Sequence, residues 1–224
     1  MLAKYFRCLN NLRRSLSSAT GFVARENFLK DIMNNTVQSR DHLTPEIVLR
    51  LITPQCKLFS EPYSDEVKIF PNDPFWGFYW PGGQAVSRYL LDHPEIVKSK
   101  KVLDVGSGSG ACSIAAKKCG ATYAIANDID EVACAAANVN AELNNVKILT
   151  TCENLIGANR KEDVILIGDL FYDREIADCV IPWLHKLRSQ GKHVLIGDPG
   201  RHALSAEVLA VMQKLATFDL PPNA

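Results

Sequence analysis

The sequence of 224 residues lacks the features that mark several classes of protein. No apolar run approaches the roughly 18 residues that a membrane-spanning helix needs, which excludes a transmembrane protein from the expected classes. None of the seven cysteines forms a C-x-x-C pair or another metal-type spacing, so we predict no metal site. Internal repeats and low-complexity segments are also missing. The remaining composition, 47% hydrophobic and 22% charged, is typical of a soluble globular protein.

The formal net charge is zero, but the charges are unevenly distributed. Five cations, at positions 4, 7, 13, 14 and 25, precede the first acidic residue, Glu26. Removing these five from the 25 cations leaves 20 against 25 acidic residues in the remainder of the chain. A mildly acidic body argues against nucleic acid as the main partner, because phosphate contacts need Lys and Arg.

Residues 1–25 combine this cluster of cations with apolar residues at helical spacing and with several serines. An amphipathic, Arg- and Ser-rich start without acidic residues is the composition of a mitochondrial transit peptide. We therefore predict that residues 1–25 are a transit peptide and that the protein lies in the mitochondrial matrix. The alternative is a basic amphipathic helix that lies on a membrane or on a partner protein.

The central motif of the chain is Lys101-Val-Leu-Asp-Val-Gly-Ser-Gly-Ser-Gly-Ala111, a short apolar run followed by glycines at alternate positions. A strand, a glycine turn and a helix in this order let the backbone pass close beneath a nucleotide-like ligand. Glycine suits such a turn because it accepts positive φ and has no Cβ. A cofactor site is therefore predicted at Gly106, Ser107, Gly108 and Gly110. A tight turn that binds nothing has the same pattern.

Apolar strands and helices alternate regularly after residue 101, which predicts a parallel sheet covered by helices on both faces, an α/β, Rossmann-like fold. The predicted strands are 101–105, 122–127, 146–151, 163–168, 193–197 and a possible 216–220. The predicted helices are 109–118, 130–142, 173–189 and 203–215. Residues 96–224 then form the cofactor-binding domain. Residues 26–95 form an N-terminal extension with helices 27–37, 44–51 and 84–92, strand-like segments 56–60 and 66–70, and an aromatic loop at 73–83.

The ends of these strands are informative, because ligands of such sheets bind at the carboxyl ends of the strands. Asp104 ends the first strand, and Asp128 ends the second, 18 residues beyond Gly110. That spacing suits a carboxylate that binds both hydroxyls of a ribose; the alternative is a helix N-cap, for which Asp130 is better placed. Glu153 and Asn154 follow the third strand, where polar groups could meet an adenine edge.

The fourth strand runs directly into Gly168-Asp-Leu-Phe-Tyr-Asp173. This places Asp169 and Tyr172, a carboxylate and a phenol, at the mouth of the central strand. Asp173 is expected to cap the next helix. Asp198, after the fifth strand, is expected to form a plain turn.

Two classes of cofactor fit the glycine motif. Gly106-x-Gly108-x-x-Ala111 also matches the pattern of dinucleotide-binding proteins. However, Asp104 would lie near a pyrophosphate and repel it, and the chain has no positioned His to handle the proton of a hydride transfer. S-adenosylmethionine carries an ammonium and a sulfonium, so acidic residues around the loop favour it.

At this point the sequence resembles the seven-strand S-adenosylmethionine-dependent methyltransferases. Val-Leu-Asp-Val-Gly-Ser-Gly-Ser-Gly resembles their first motif, and Asp169-Leu-Phe-Tyr172 resembles the D-x-x-Y signature of their protein-lysine branch. Asp73-Pro-Phe-Trp-Gly-Phe-Tyr-Trp-Pro-Gly-Gly83 and Leu-Ile-Gly-Asp-Pro-Gly-Arg201 are more specific. They resemble the mitochondrial family that methylates the β-subunit of the electron transfer flavoprotein. The resemblance covers residues 40 to 220 approximately.

The resemblance implies contacts with S-adenosylmethionine from Trp80, the glycine loop, Asp128 and the backbone near Gly168. It implies direct in-line transfer of a methyl group to a lysine ε-amine, without a metal or a covalent intermediate. Asp169 would orient the amine and Tyr172 would line the lysine channel. Phe75, Trp76 and Tyr79 could cover the site, or could simply pack within their loop.

Several alternatives stay open. The acceptor could be a ribosomal or another mitochondrial protein, or the chain could be a cofactor-binding interaction module with little catalysis. A nucleic-acid base is a weaker candidate, because Asp-Leu-Phe-Tyr replaces the Asn-Pro-Pro-Tyr of base methyltransferases. Relatives end in an antiparallel hairpin that is not found after residue 220, so we expect lower stability and weak activity for this form. The oligomeric state is left open.

Overall fold

We describe a computed structural model in which residues 19–60 and 69–221 are placed. The predicted transit peptide, residues 1–25, lies outside the described residues as far as residue 18. Residues 66–68 of the predicted strand 66–70 also lie outside them, and residues 69–70 form a bend. Within the described ranges, none of the helices combines the length and the apolarity that crossing a membrane requires.

The N-terminal part differs most from the sequence prediction. Helix α1 (Ala19–Asn35) is followed by the antiparallel strands β1 (Val37–Ser39) and β2 (Leu49–Leu51), and then by the short helix α2 (Lys57–Ser60). The predicted helix over 44–51 is therefore wrong, and so is the predicted strand over 56–60. A 3₁₀ turn (Phe75–Gly77), helix α3 (Pro81–Asp92) and a second 3₁₀ turn (Pro94–Ile96) complete this part.

Distant side chains hold residues 48–51 extended. The amide of Asn144 binds Val48 on both sides: its oxygen accepts from the Val48 N–H at 3.0 Å, and its NH₂ group donates to the Val48 carbonyl at 2.6 Å. The oxygen of Asn140 accepts from the Arg50 N–H at 2.7 Å. Leu49 and Leu51 pair with β1 and are buried in the core. These contacts satisfy the backbone without a helix, which the Thr-Pro start signal could not reveal.

The remainder is a five-stranded parallel sheet with the order β5-β4-β3-β6-β7. Its strands are β3 (Lys101–Val105), β4 (Tyr123–Asn127), β5 (Leu149–Thr151), β6 (Val164–Gly168) and β7 (His193–Gly197). The helices after β3, β4, β6 and β7 are α4 (Ala111–Lys118), α5 (Glu131–Leu143), α6 (Arg174–Ser189) and α7 (Ala206–Ala210). The predicted α/β, Rossmann-like architecture is confirmed.

Most of the predicted boundaries in this half agree with the structure, and the last two elements do not. β3 and β7 have the predicted limits, whereas the helix expected over 203–215 is reduced to α7. The strand expected over 216–220 is absent, and β7 is an edge strand of the described sheet.

Alternate residues of the central strands point to two separate cores. Val102, Val164 and Leu166 pack in one cluster with apolar residues of α3 and α4. Leu103, Ile165 and Ile167 pack in the other cluster with the apolar face of α6. This alternation of side chains along each strand buries the sheet on both faces. Only the ends of the strands remain available for a ligand.

Candidate active site

The order of the strands creates a crevice at the carboxyl ends of β3 and β6. From β3 the chain runs outward to β4 and β5, and it then returns to β6 on the other side of β3. The connections after β3 and β6 therefore leave the sheet in opposite directions, which is where open α/β sheets bind ligands. The glycine loop follows β3, and Asp169 follows β6.

The glycine loop has the backbone geometry that its sequence predicts. Gly106, Gly108 and Gly110 have φ values of +66°, +50° and +80°. A Cβ on Gly110 would lie 2.7 Å from Cβ of Ala137, so the loop packs tightly on α5. A Cβ on Gly108 would find its nearest neighbour, Cα of Trp76, at 3.6 Å. A Cβ at Gly108 would therefore fit, in ordinary van der Waals contact with the backbone of Trp76.

Two buried polar atoms near this loop lack a partner among the described residues, namely Oγ of Ser107 and Nε1 of Trp76. Ser107 is fixed by its backbone, because its N–H donates to the Asn127 carbonyl at 3.0 Å and its own carbonyl accepts from the Gly110 N–H at 2.8 Å. Buried polar groups in native proteins are normally paired. Unpaired donors beside an open glycine loop are what a polar cofactor would satisfy.

Asp104 lies beneath the loop and does not open onto the crevice, because only 1% of it is exposed. One of its carboxylate oxygens, Oδ2, accepts from both the N–H and the hydroxyl of Ser113, each at 3.0 Å. Burial, together with the charge of Asp128, raises the pKa of Asp104 to about 7, although the Ser113 hydrogen bonds oppose the shift. Asp104 thus ties the start of α4 to the end of β3.

Asp128 stands at the end of β4 with its carboxylate directed at the loop. Its Oδ2 accepts from the Gly108 N–H at 2.9 Å, and its Oδ1 accepts from the Asp130 N–H at 3.1 Å. Burial raises the pKa of Asp128 to about 6, against the effect of these hydrogen bonds. The N-cap of α5 is Asp130, whose side chain accepts from Val132. The capping alternative for Asp128 is therefore not observed, and its carboxylate lies beside the loop.

Glu153 and Asn154 follow β5 on the same edge of the sheet, and both are exposed. The oxygen of Asn154 accepts from the Ile156 N–H at 3.1 Å, which forms a turn. The buried amide of Asn127 donates to the carbonyls of Thr151 and Glu153, at 2.9 and 2.8 Å. Asn127 therefore fixes this loop, and its position one residue before Asp128 is the signal that the sequence prediction overlooked.

Asp169 is buried directly after the carboxyl end of β6. Its backbone has the left-handed conformation, with φ of +59°. Its Oδ2 accepts from the backbone N–H of Gly82 at 2.7 Å. Its Oδ1 accepts from Nε of Arg201 at 2.6 Å. The backbone N–H of Asp169 donates to the Gly197 carbonyl at 2.9 Å. Both oxygens of the predicted catalytic carboxylate are thus held by residues from distant parts of the sequence.

Tyr172 lies in the turn after Asp169, with 46% of its surface exposed. Burial of its phenol group and the negative charges of Asp128 and Asp173 raise its pKa. Asp173 caps α6 as predicted, because its side chain accepts from the Glu175 N–H at 2.7 Å. Tyr172 is therefore carried on a capped helix start.

The backbone at the start of α3 packs directly against the backbone at the carboxyl ends of β6 and β7. A Cβ on Gly82 would lie 2.2 Å from the Gly197 carbonyl oxygen, and a Cβ on Gly168 would lie 2.8 Å from Cα of Gly83. Glycine at these positions permits a contact between backbones that no other residue would allow. Gly168 was predicted to approach the cofactor; the structure places it against Gly83. Trp80 precedes this helix and is 40% exposed.

The three other aromatic residues of this segment divide into two groups. Trp76 is buried, with its ring edge-on to Phe70 at 5.2 Å. The hydroxyl of Tyr79 lies 3.2 Å from Oγ1 of Thr44, within the N-terminal part. Phe75 is 56% exposed. Of the three rings that could cover the site, Trp76 and Tyr79 therefore pack within the protein, and Phe75 reaches the surface.

Sequence reasoning also missed Arg201 and Gly82, the two partners of Asp169. Arg201 belongs to a Gly-Asp-Pro-Gly-Arg turn in which Asp198 accepts from the N–H groups of Gly200 and Arg201, at 2.7 and 2.6 Å. The turn expected at Asp198 is thus confirmed. The sequence did contain a signal for Arg201, namely a cationic residue directly after such a turn at the carboxyl end of a strand.

Comparison with known proteins agrees with this geometry. The sequence model of the ribosomal protein L11 methyltransferase (PrmA) family matches residues 86–171, which include β3, the glycine loop, β4 and β6. Fold and site therefore define an S-adenosylmethionine-dependent methyltransferase. A ribosomal protein L11 methylase structure from Lactobacillus delbrueckii aligns with 29% identity and a TM-score of 0.39, covering 49% of this chain and 56% of that one.

Three curated relatives are considerably more similar. The electron transfer flavoprotein beta subunit lysine methyltransferase of Xenopus laevis is 49% identical, over 84% of this chain and 77% of that protein. The Danio rerio protein of the same name is 44% identical, over 94% and 81%. The Caenorhabditis elegans homolog is 36% identical, over 86% and 87%. The chain belongs to the family of electron transfer flavoprotein beta subunit lysine methyltransferases.

Proposed function

We propose that this protein transfers methyl groups from S-adenosylmethionine to lysine side chains of the electron transfer flavoprotein β-subunit in the mitochondrial matrix. Membership of the family, at 44–49% identity to two vertebrate relatives that carry this activity in their names, supports the reaction and the substrate. The observation that carries the proposal within this chain is Asp169, a buried carboxylate held at the mouth of β6 across the crevice from the glycine loop.

The residues at β3 and β4 fit S-adenosylmethionine. The absence of a side chain on Gly108 suits a close approach of the methionine part, and Oγ of Ser107 and Nε1 of Trp76, unpaired among the described residues, suit its polar groups. Asp128 would hold the ribose hydroxyls, and Glu153 and Asn154 would lie near the adenine. Trp80 and the backbone of Gly168 would lie on the side of the reacting centre. Asp104 would support the loop from beneath.

S-adenosylmethionine supplies an electrophilic methyl group on a sulfonium, which a neutral amine can accept directly. A lysine must first lose its proton, and at pH 8 this costs roughly 3 kcal/mol because the reference pKa is about 10.4. Asp169 would bind the incoming ammonium and then orient the amine. Tyr172 would line the channel, and the exposed ring of Phe75 would face the growing methylammonium group. Such a site works through placement and electrostatics.

The experiment combines the purified protein, S-adenosylmethionine and the purified β-subunit, and reads the substrate mass in steps of one methyl group. Asp169→Asn preserves the acceptor for the Gly82 N–H but removes the charge. We expect its turnover to fall by roughly 100-fold or more, while cofactor affinity by calorimetry stays within about three-fold. Asp178→Asn, which removes an exposed carboxylate on α6, is the matched control. Full activity of Asp169→Asn would remove Asp169 from the mechanism.

We also propose the division of the chain by role. Residues 1–25 act as the transit peptide, residues 26–95 form an N-terminal extension that carries the aromatic loop, and residues 96–224 form the methyltransferase domain that binds S-adenosylmethionine. Helix α3 packs on β6 and β7, so the second and third parts share one core. Deleting residues 2–25 should leave a tagged protein in the cytosol. A truncated protein that still reaches mitochondria would contradict this address.

A further inference from the structure

Arg201 directs two nitrogens of its guanidinium at one oxygen of the carboxylate that follows β6. Its Nε and Nη2 both lie 2.6 Å from Oδ1 of Asp169. The Asp169 side chain is 2% exposed and the Arg201 side chain is 32% exposed, so the pair lies at the boundary between core and solvent. The Gly82 N–H binds the other oxygen of Asp169, so the two contacts together fix the plane of the carboxylate.

Two further contacts fix Arg201 itself. Its Cζ lies 5.8 Å from the centre of the Trp80 ring, a cation–π distance. The turn that Asp198 caps sets the direction in which the Arg201 backbone leaves β7. The indole of Trp80 is in turn held by a 2.9 Å hydrogen bond to the Phe75 carbonyl. The guanidinium is therefore supported on one side by an aromatic ring and directed by a rigid turn.

We propose that Arg201 is a positioning residue that acts through Asp169, an inference that rests on the proposed function. The guanidinium and the Gly82 N–H hold the carboxylate in one orientation and leave one lone pair, on Oδ2, for the lysine amine. The planar guanidinium of Arg directs two N–H groups at Oδ1 in a fixed geometry, and the ammonium of Lys, on a flexible stem, cannot reproduce that pair of contacts. The role of Arg201 is thus to limit the rotation of Asp169 before the substrate arrives.

The test compares Arg201→Ala, Arg201→Lys and the double variant with Asp169→Asn. We expect Arg201→Ala to lower kcat by roughly 10-fold or more, with cofactor affinity within about three-fold and Arg201→Lys intermediate. In the Asp169→Asn background the same substitution should have little further effect, because the two residues act as one unit. Arg174→Ala, which removes a guanidinium from an exposed ion pair on α6, is the matched control.

The possible outcomes separate this inference from the proposed function. Additive losses in the double variant, or a loss confined to cofactor affinity, would show that Arg201 does not act through Asp169. A parent that methylates the β-subunit while Arg201→Ala is equally active overturns the positioning role alone. A parent that methylates no lysine of the β-subunit overturns the proposed function, and the positioning role with it.

A second, independent observation concerns two cysteines beside the predicted ribose site. Sγ of Cys152, one residue after β5, lies 2.9 Å from Sγ of Cys134 in the first turns of α5. The two sulfur atoms are in direct non-bonded contact, and they would have to approach by a further ~0.9 Å to reach the roughly 2.05 Å of a disulfide bond. Cys152 is exposed and Cys134 is buried. One thiol can therefore meet a solute, while the other stands directly behind it.

The two thiols differ in their readiness to ionise. The hydrogen bond with Cys134 lowers the pKa of the Cys152 thiol, although burial and the acidic groups of Glu131, Asp128 and Asp130 oppose the shift. The pKa of Cys134 is raised, first by its contact with Cys152 and then by burial. An exposed thiol of lowered pKa with a second thiol behind it is the arrangement of a reactive cysteine and its resolving partner.

We propose that Cys134 and Cys152 form a modification site for hydroperoxides and close to an intramolecular disulfide. The Cys152 thiolate attacks a peroxide oxygen, the O–O bond breaks, and a sulfenic acid and one hydroxide form. The Cys134 sulfur then attacks the sulfenic sulfur, the S–S bond forms, and water leaves. Two thiols lose two electrons in total, and hydrogen peroxide becomes two molecules of water.

The position of the pair gives the modification a structural consequence. Sγ of Cys134 lies 3.5 Å from the main-chain carbonyl oxygen of Asp128, to which its thiol donates. A disulfide removes this donor and joins the first turns of α5 to the end of β5. The helix that follows Asp128 then becomes covalently linked to the strand end whose Thr151 carbonyl accepts from the Asp128 N–H.

The test treats the reduced full-length protein with hydrogen peroxide, alkylates the remaining thiols and analyses the peptides by mass. We expect a cross-linked pair of peptides containing Cys134 and Cys152 that dithiothreitol separates. Cys179→Ser removes another exposed cysteine and should leave the cross-link intact. In Cys134→Ser, a sulfenic acid at Cys152 should instead be trapped by dimedone. Oxidation of Cys152 to the sulfinic acid in the parent, or pairing with any other cysteine, would overturn the proposal.

Discussion

The two ends of the crevice are built in different ways. The proposed cofactor side is built mainly from one continuous segment, in which Asp104 binds Ser113 nine positions along the chain and Asp128 binds Gly108 across 20 positions. On the acceptor side, Asp169 binds Gly82 across 87 positions and Arg201 across 32. One side is a loop with its own geometry, and the other is a junction of three segments.

The two sides of the crevice differ in the kind of substitution that would disrupt them. The cofactor side depends on backbone conformation at its glycines, which is set within a few residues. The acceptor side depends on the docking of α3 on β6 and β7, where glycine backbones approach each other directly. Contacts between distant segments form late and are lost together when one partner moves, because closing long loops costs entropy. A substitution can therefore disable the acceptor side without touching a functional side chain.

The largest expected effect is the loss of cofactor affinity caused by a bulky side chain in the glycine loop. Gly108→Arg places a long cation above the loop, and we expect the affinity for S-adenosylmethionine to fall by at least about 1,000-fold, or ~4 kcal/mol. Gly191→Arg is the matched control, because Gly191 also has positive φ, +79°, and has no atom within 4 Å. Calorimetry with both variants separates backbone strain from occupation of the site. Unchanged binding in Gly108→Arg would contradict the cofactor assignment.

The next prediction concerns the docking of α3. Gly82→Ala would bring Cβ to 2.2 Å from the Gly197 carbonyl oxygen and 2.5 Å from the Asp169 nitrogen, both of them backbone atoms. We expect the free energy of unfolding to fall by about 3 kcal/mol, which lowers the melting temperature by about 6–12 °C. Gly83→Ala is the neighbouring control, because its Cβ would meet only the Tyr79 ring, at 3.5 Å. Equal melting temperatures for the two variants would show that α3 can shift without cost.

The prediction with the smallest expected effect concerns Asp104, the buried carboxylate of the cofactor side. Because burial raises the pKa of Asp104 from 3.8 to about 7, the folded state binds its proton more tightly than the unfolded state. Its contribution to stability is therefore complete below pH 4 and is lost as the pH rises through 7. Asp104→Asn removes this loss while keeping an oxygen for Ser113.

We measure that difference by denaturant unfolding at pH 5 and pH 8. The free energy of unfolding of Asp104→Asn, relative to the parent, should rise by about 2 kcal/mol between the two conditions. Asp178→Asn, an exposed carboxylate, serves as the surface control. A relative free energy that is constant with pH would mean that Asp104 is not protonated in the folded protein near neutrality.

The agreement between sequence and structure follows the same division. The limits of β3 and β7, the positive φ values of the glycine loop, and the caps at Asp130 and Asp173 agree with the sequence prediction. The helix expected over 44–51 was wrong because Asn140 and Asn144, about 90 residues away, bind that backbone as an extended segment. Its Thr-Pro start was a valid local signal that distant contacts outweighed.

The sequence by itself determined the parallel sheet, the glycine loop and the acidic ends of β3, β4 and β6. These features depend on periodicity and on conformational preferences within a few residues, so they can be read from neighbouring positions. Only the tertiary structure decided that Asp169 is held between Gly82 and Arg201, and that Tyr79 turns away from the crevice toward Thr44. Both follow from how α3 and the turn after β7 pack on the sheet, which depends on residues far apart in the chain.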